Sequence, residues 1–171
     1  TPADHFYRVI LAEEMGRSGS GGTCASLMSH TIGLPPVVAG ASPGLKARIL
    51  PGVLAGEKIS ALAVTEPGAG SDVAQLATTA KRDGDHYVVN GSKMFITSGM
   101  RADVYTVAVR TDPAAKAARG ISLLVIERDA PGFTRTPLQK MGWWASDTAH
   151  LRFDEVRVPA VGDEGLRAVQ H

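Results

Sequence analysis

Three stretches of this sequence concentrate residues that could do chemistry. Residues 63–72 (AVTEPGAGSD) run from a short apolar segment into a loop of Pro67, Gly68 and Gly70 that ends at Ser71. Glycine admits positive φ and leaves backbone N–H groups uncovered, so such a loop can approach a phosphate, with the Ser71 hydroxyl as a further donor. Taken alone, an ordinary tight turn is the simpler reading. Residues 88–99 (VVNGSKMFITSG) carry Phe95, Ile96 and Thr97. Phe95 and Thr97 share one face of a strand, where a ring with a hydroxyl two residues on could cover and orient a planar ligand. By itself this stretch reads as a core Phe beside a solvated Thr. Residues 141–148 (MGWWASDT) place Trp143 and Trp144 together. They could line an apolar channel, make a subunit contact or pack in a core. Ser146 and Asp147 read as turn residues.

Several other chemistries are excluded. Gly68-Ala69-Gly70 matches two glycines of a dinucleotide fingerprint, but Val73 occupies the third position and no acidic residue closes a following strand. The five histidines are scattered without a helical pair at metal-ligand spacing, and no G-x-S-x-G elbow occurs. No metal site is expected. Glu66 and Asp72 flank the glycine loop without an evident partner for acid–base work. The chain has 171 residues and a formal net charge of +1. Residues 1–60 carry 5 basic and 4 acidic side chains and residues 61–171 carry 13 of each, so neither part offers the cationic face that nucleic acid needs. No apolar run approaches the ~18–20 residues that span a bilayer. The first residues lack the basic and apolar regions of a secretory signal, and Cys24 is alone, so a reducing interior is expected. The first residue is Thr, which reads as a piece processed or cut from a longer chain.

The elements that must position these stretches change character near residue 56. Phe6, Ile10, Leu11 and Met15 form one helical stripe. A second helix is expected from Thr23 to about Ile32. A third has Ser42 as cap, Pro43 at its first position, Leu45, Ile49, Leu50 and Val53 as its apolar face, and Gly56 as its stop. Beyond Lys58 the period becomes two. Strands are expected over 59–64, 77–82, 86–89, 93–97, 104–110, 121–127, 133–138 and 151–158. Turns fall at Asp83-Gly84-Asp85, at Asn90-Gly91 as a hairpin, and at Pro131-Gly132. In 104–110, Val104, Thr106, Ala108 and Arg110 face one way and Tyr105, Val107 and Val109 the other. The fold class is α+β: N-terminal helices on about seven antiparallel strands whose regular spacing suggests a sandwich or a barrel rather than a parallel α/β sheet.

In order and spacing the three stretches, with GISLLVIERDAPGF (residues 120–133) and KMGWWASDTAHLRFDEVRVP (residues 140–159), resemble the acyl-CoA dehydrogenase family. The helical part, through SLMSHTIGLPPV and LKARILPGVLAGE, resembles the end of that family's N-terminal domain. The resemblance implies residues 1–57 as part of the N-terminal helical domain, 58–160 as the middle β-barrel, and 161–171 as the start of a linker to a C-terminal helical bundle that this chain lacks. It implies FAD. Leu62, Val64 and Thr65 would line the pyrimidine side of the flavin. Gly70 and Ser71 would approach the pyrophosphate and the bound acyl-CoA. Phe95, Ile96 and Thr97 would cover the ring, with Thr97 donating to flavin N5; many relatives have Trp at the position of Phe95. Trp143 and Trp144 are candidate substrate walls.

The implied reaction is α,β-dehydrogenation of an acyl-CoA thioester. A glutamate takes the α proton and the β hydride passes to flavin N5. That base would lie in the C-terminal domain, so no catalytic residue is expected in this chain. The implied partners are an acyl-CoA substrate, electron-transfer flavoprotein as acceptor, and further copies in a homo-oligomer, dimer or tetramer. The implied setting is bacterial cytoplasm or mitochondrial matrix. The alternatives are a non-catalytic FAD- or CoA-binding truncated homologue, and an oxidase or flavin monooxygenase of the same fold.

Overall fold

The computed structural model describes residues 6–160. The expected linker start at 161–171 lies outside the described residues. Four helices come first: α1 (Phe6–Gly16), α2 (Gly21–Met28), α3 (Leu34–Gly40) and α4 (Pro43–Leu54). Seven strands follow: β1 (Ser60–Ala63), β2 (Thr79–Asp83), β3 (His86–Thr97), β4 (Val104–Arg110), β5 (Ile121–Glu127), β6 (Phe133–Pro137) and β7 (Thr148–Pro159). None of the described helices is long and apolar enough to cross a membrane.

α4 forms for the reasons its sequence states. The Ser42 hydroxyl accepts from Leu45 N at 3.1 Å, Pro43 occupies the first turn, and Leu45, Ile49 and Val53 are fully buried. Each such side chain contributes about 1.5–3 kcal/mol of burial. α2 begins two residues earlier than expected, because Ser20 caps it, and ends at Met28 rather than near Ile32. α3 is an unforeseen helix whose Pro35 and Pro36 sit in its first turn, where a missing N–H costs nothing. The stripe on α1 forms a helix, yet α1 buries no residue.

The strands make one curled sheet, a half-barrel. β5 pairs antiparallel with one edge of β4; β1, then β2 at Thr79, pair parallel with the other. β2, β3, β7 and β6 follow as antiparallel neighbours. The sheet is therefore mixed rather than wholly antiparallel. Its inner face packs Tyr105, Val107, Val109, Leu124, Ile126 and Val156, with Phe133 stacked at 5.0 Å on Phe153 and edge-on to Tyr105 at 4.8 Å. The opposite face, through Val104 and Val125, meets α3 and α4. The two-faced alternation read for residues 104–110 therefore divides two cores.

The hairpin expected at Asn90-Gly91 does not form. β3 runs unbroken from His86 to Thr97, and the hairpin is instead the tight turn at Gly84, where φ is +62°. Gly91 has φ +142°, and a side chain there would come within 2.7 Å of Thr78 Cα, so its smallness serves a close approach. The Asn90 amide exchanges two hydrogen bonds with Glu155, to its carboxylate at 2.9 Å and from its N–H at 3.0 Å. Turn chemistry has here been taken over by a bulge on β7, where Glu155 has φ +56°.

Candidate functional site

The glycine loop leaves β1 at Ala63 and is closed by one carboxylate. Glu66 and Ala69 exchange backbone hydrogen bonds at 2.9 and 3.2 Å, making a tight turn. The Glu66 side chain then accepts the N–H groups of Ala77 at 2.6 Å and Thr78 at 2.9 Å, joining the start of the loop to its end. Lys93 completes the arrangement. Its ammonium donates to Glu66 Oε1 at 2.7 Å and to the Val64 carbonyl at 3.0 Å. Lys93 is fully buried and Glu66 only 7% exposed, so Glu66 has a partner where none was expected. Burial alone would raise the Glu66 carboxyl, but hydrogen bonds from Lys93, Thr78 and Ala77 outweigh it and hold the group below its ordinary range. Burial pushes the Lys93 ammonium down, against the pull of Glu66.

β3 presents the second stretch. Lys93 pairs with Leu151 and Ile96 with Ala149, so β3 has one extra residue there. This bulge at Met94-Phe95, with Phe95 at φ +61°, turns the Phe95 ring outward until it is 67% exposed. Ile96 is buried in the barrel core, so its side chain points away from the exposed face. Thr97 is half-buried at the strand end. Met94 N donates to the Thr65 carbonyl at 2.8 Å, which ties the end of β1 to the bulge.

The tryptophan loop joins β6 to β7 at the same end of the sheet, where Thr97 pairs with Thr148. Asp147 is its anchor and does more than form a turn. Its carbonyl accepts from Ser98 N at 3.0 Å, and its carboxylate takes Met100 N at 2.7 Å and Arg101 Nε at 2.6 Å. Arg101 also donates to Ser26 on α2 at 2.7 Å. Trp143 has φ +57°, and Lys140 donates to the carbonyls of Trp143 and Ser146. The indole lies against Gly21: a Cβ there would stand 2.9 Å from the Trp143 ring nitrogen. Trp143 and Trp144 are 62% and 68% exposed.

The structure thus brings Val64 and Thr65 beside the segment 93–97, and sets the tryptophan loop at the end of that segment. Leu62 lies on β1 opposite Thr106. Gly70 and Ser71 are exposed on the arch of the loop. A Cβ on Gly68 or Gly70 would meet nothing within 4 Å, which leaves this backbone open to a ligand. A cleft of about 420 Å³ lies under the arch, lined by Glu66, Gly68, Ala69, Thr78, Gly91 and Ser92. A large cofactor with a planar ring and a pyrophosphate fits these residues: the loop offers open backbone, and the bulge offers an aromatic face that protein does not cover. Glu66, Lys93, Asp147 and Arg101 were not legible as site residues. The available signal was strand parity, since Lys93 lies four residues after buried Val89 on the same side of β3.

Comparison with known proteins gives a consistent picture. Residues 1–57 match the N-terminal domain and residues 61–156 the middle domain of acyl-CoA dehydrogenases. The acyl-CoA dehydrogenase apdG of Emericella nidulans is 41% identical over 167 residues, which are 95% of this chain and 38% of that protein. A crystal structure described as a putative acyl-CoA dehydrogenase from Mycobacterium smegmatis has TM-score 0.90 and 45% identity, covering 98% of this chain and 44% of that one. A glutaryl-CoA dehydrogenase from M. smegmatis, in complex with FADH2, has TM-score 0.70 and 37% identity over 78% of this chain and 33% of its own. The chain spans less than half the length of each of these relatives.

Proposed function

Because this chain belongs to the acyl-CoA dehydrogenase family, we propose that it forms the flavin- and acyl-CoA-holding part of an FAD-dependent acyl-CoA dehydrogenase. The observation that carries the reading is the bulge at Met94-Phe95. It exposes the Phe95 ring, with Thr97 two residues on, next to the end of β1 that leads into a loop with open glycine backbone. FAD, when bound, supplies the acceptor for the β hydride of the thioester.

The residues of this chain bind and orient. Val64 and Thr65, with Leu62 behind them on β1, would line the pyrimidine side of the ring. Phe95 would stack on it, the Ile96 backbone would pass along it, and Thr97 would donate to N5. Gly70 and Ser71 would hold pyrophosphate oxygens and reach the acyl-CoA. Trp143 and Trp144 would wall the acyl chain, kept in place by Gly21 and Lys140. The glutamate that takes the α proton is proposed to lie outside this chain, since Glu66 is committed to three donors at the foot of the loop. Hydrogen bonds that favour charge on the thioester oxygen make that proton acidic. Electron-transfer flavoprotein is the proposed acceptor, and the working form is proposed to be a homo-oligomer.

The test is an anaerobic titration. The full-length protein, purified with FAD, should be yellow and should bleach on adding a saturated acyl-CoA. A protein that stays colourless after reconstitution with FAD contradicts the proposal.

A further inference from the structure

A buried ion pair needs a reason, because replacing one with apolar residues of similar volume is often neutral or stabilising. Lys93 and Glu66 are 27 residues apart in sequence and meet at 2.7 Å, 0% and 7% exposed. Their hydrogen bonds to the backbone tie down a loop. Every one of them reaches the glycine loop or the strand end feeding it: the Val64 carbonyl, and the N–H groups of Ala77 and Thr78. The ladder between β1 and β4 stops at Ala63-Val107. Beyond that point the chain is held laterally through Lys93 to Val64 and Met94 to Thr65. Lys93 is also the last residue of β3 before the bulge that turns Phe95 outward. A single ammonium therefore joins the foot of the loop, the end of β1 and the start of the bulge.

We propose that Lys93 and Glu66 are positioning residues for the flavin: together they set the separation between segment 64–65 and segment 95–97, and the span of the loop carrying Gly70 and Ser71. This rests on the flavin reading above. Both residues act through backbone they tether. Lys93 has the reach and charge to hold a carbonyl and a carboxylate at once, which a methionine of similar length cannot do. Glutamine in place of Glu66 retains one acceptor for the Ala77 and Thr78 N–H groups, while removing the charge that calls for a cation.

The double variant Lys93→Met/Glu66→Gln separates positioning from folding, because it removes both charges together and strands neither. In the full-length protein, FAD affinity and the absorption spectrum of bound flavin are measured beside the thermal midpoint of the flavin-free form. The expected result is a midpoint close to wild type, with FAD affinity at least tenfold weaker and the resolved shoulder of the flavin band lost. Wild-type affinity and spectrum in the double variant overturn the inference, as does a loss of affinity no larger than the loss of folded protein explains. Should that double variant not fold, Lys93→Leu/Glu66→Gln, which likewise leaves no unpaired buried charge, is judged by the same criteria. A wild-type protein that takes up no FAD overturns the flavin reading and this inference with it; normal wild-type uptake with unchanged uptake by the variant overturns this inference alone.

Discussion

The glycine loop and the tryptophan loop are closed in the same way. In each, one carboxylate accepts backbone N–H from a remote segment and pairs with one cation: Glu66 with two N–H groups, of Ala77 and Thr78, and with Lys93; Asp147 with the one N–H of Met100 and with Arg101. Each clasp lies near an exposed aromatic residue in a left-handed conformation, Phe95 or Trp143. Holding a residue there costs on the order of 1–3 kcal/mol, so its surroundings must impose it. The clasps differ in their surroundings. The Glu66–Lys93 pair is out of water, whereas the Arg101 and Asp147 side chains are 45% and 22% exposed. Water can replace a lost partner in the second clasp but not in the first. The same contacts therefore tolerate the loss of a partner differently: the buried clasp depends on both of its charges, the hydrated one does not.

The largest effect should come from stranding a buried charge. Lys93→Met leaves Glu66 without its cation and should cost about 3–5 kcal/mol in chemical denaturation. A cost below about 1 kcal/mol would erase the distinction between the clasps. The same site predicts an acid dependence. The native Glu66 carboxyl titrates below its unfolded value, so its contribution is complete above about pH 4.3 and is lost as pH falls below that. The stability gap between wild type and Glu66→Gln should therefore shrink on acidification; a gap that stays constant down to low pH would break this account.

Asp147→Ala should cost less, about 1.5–3 kcal/mol, because it removes hydrogen bonds to a charged group that is partly hydrated. Its signature should be a change in tryptophan fluorescence as the Trp143 loop loosens; unchanged fluorescence would show that Asp147 does not anchor the loop. Arg101→Ala should fall within about 1 kcal/mol, since half-exposed ion pairs contribute little. A larger loss would mean that the Arg101–Ser26 link between α2 and the sheet matters more than the ion pair. The smallest effect belongs to a control far from both loops. Arg157→Ala breaks a 2.9 Å pair with Asp83 whose partners are both more than half exposed, and should lie within a few tenths of a kcal/mol of wild type in the same denaturation series.

Elements whose cause is local were legible in the sequence. α4 carries its cap, its proline and its stripe within twelve residues, and the alternation of residues 104–110 matches β4 to the residue. β3 was not legible, because Asn90-Gly91 carries a hairpin signature that tertiary contacts override. Gly91 is needed where Thr78 passes, and Asn90 is used by Glu155, 65 residues away. The clasps were hidden for the same reason, since a pair such as Glu66 and Lys93 has no local signature. α1 shows the converse: its stripe forms the expected helix, but periodicity says nothing of what covers it. The proposed flavin residues came from the family resemblance. The bulge that exposes Phe95 while burying Ile96 lies beyond what spacing can express.

Two segments are proposed to close on one ligand, and hydrogen exchange reads that directly. Amide exchange should be followed in the full-length protein with and without FAD. Protection should rise at residues 64–71 and 94–98, and change little across β5 and β6. Unchanged exchange in those two segments at saturating FAD, or protection confined to other parts of the chain, would contradict the proposal.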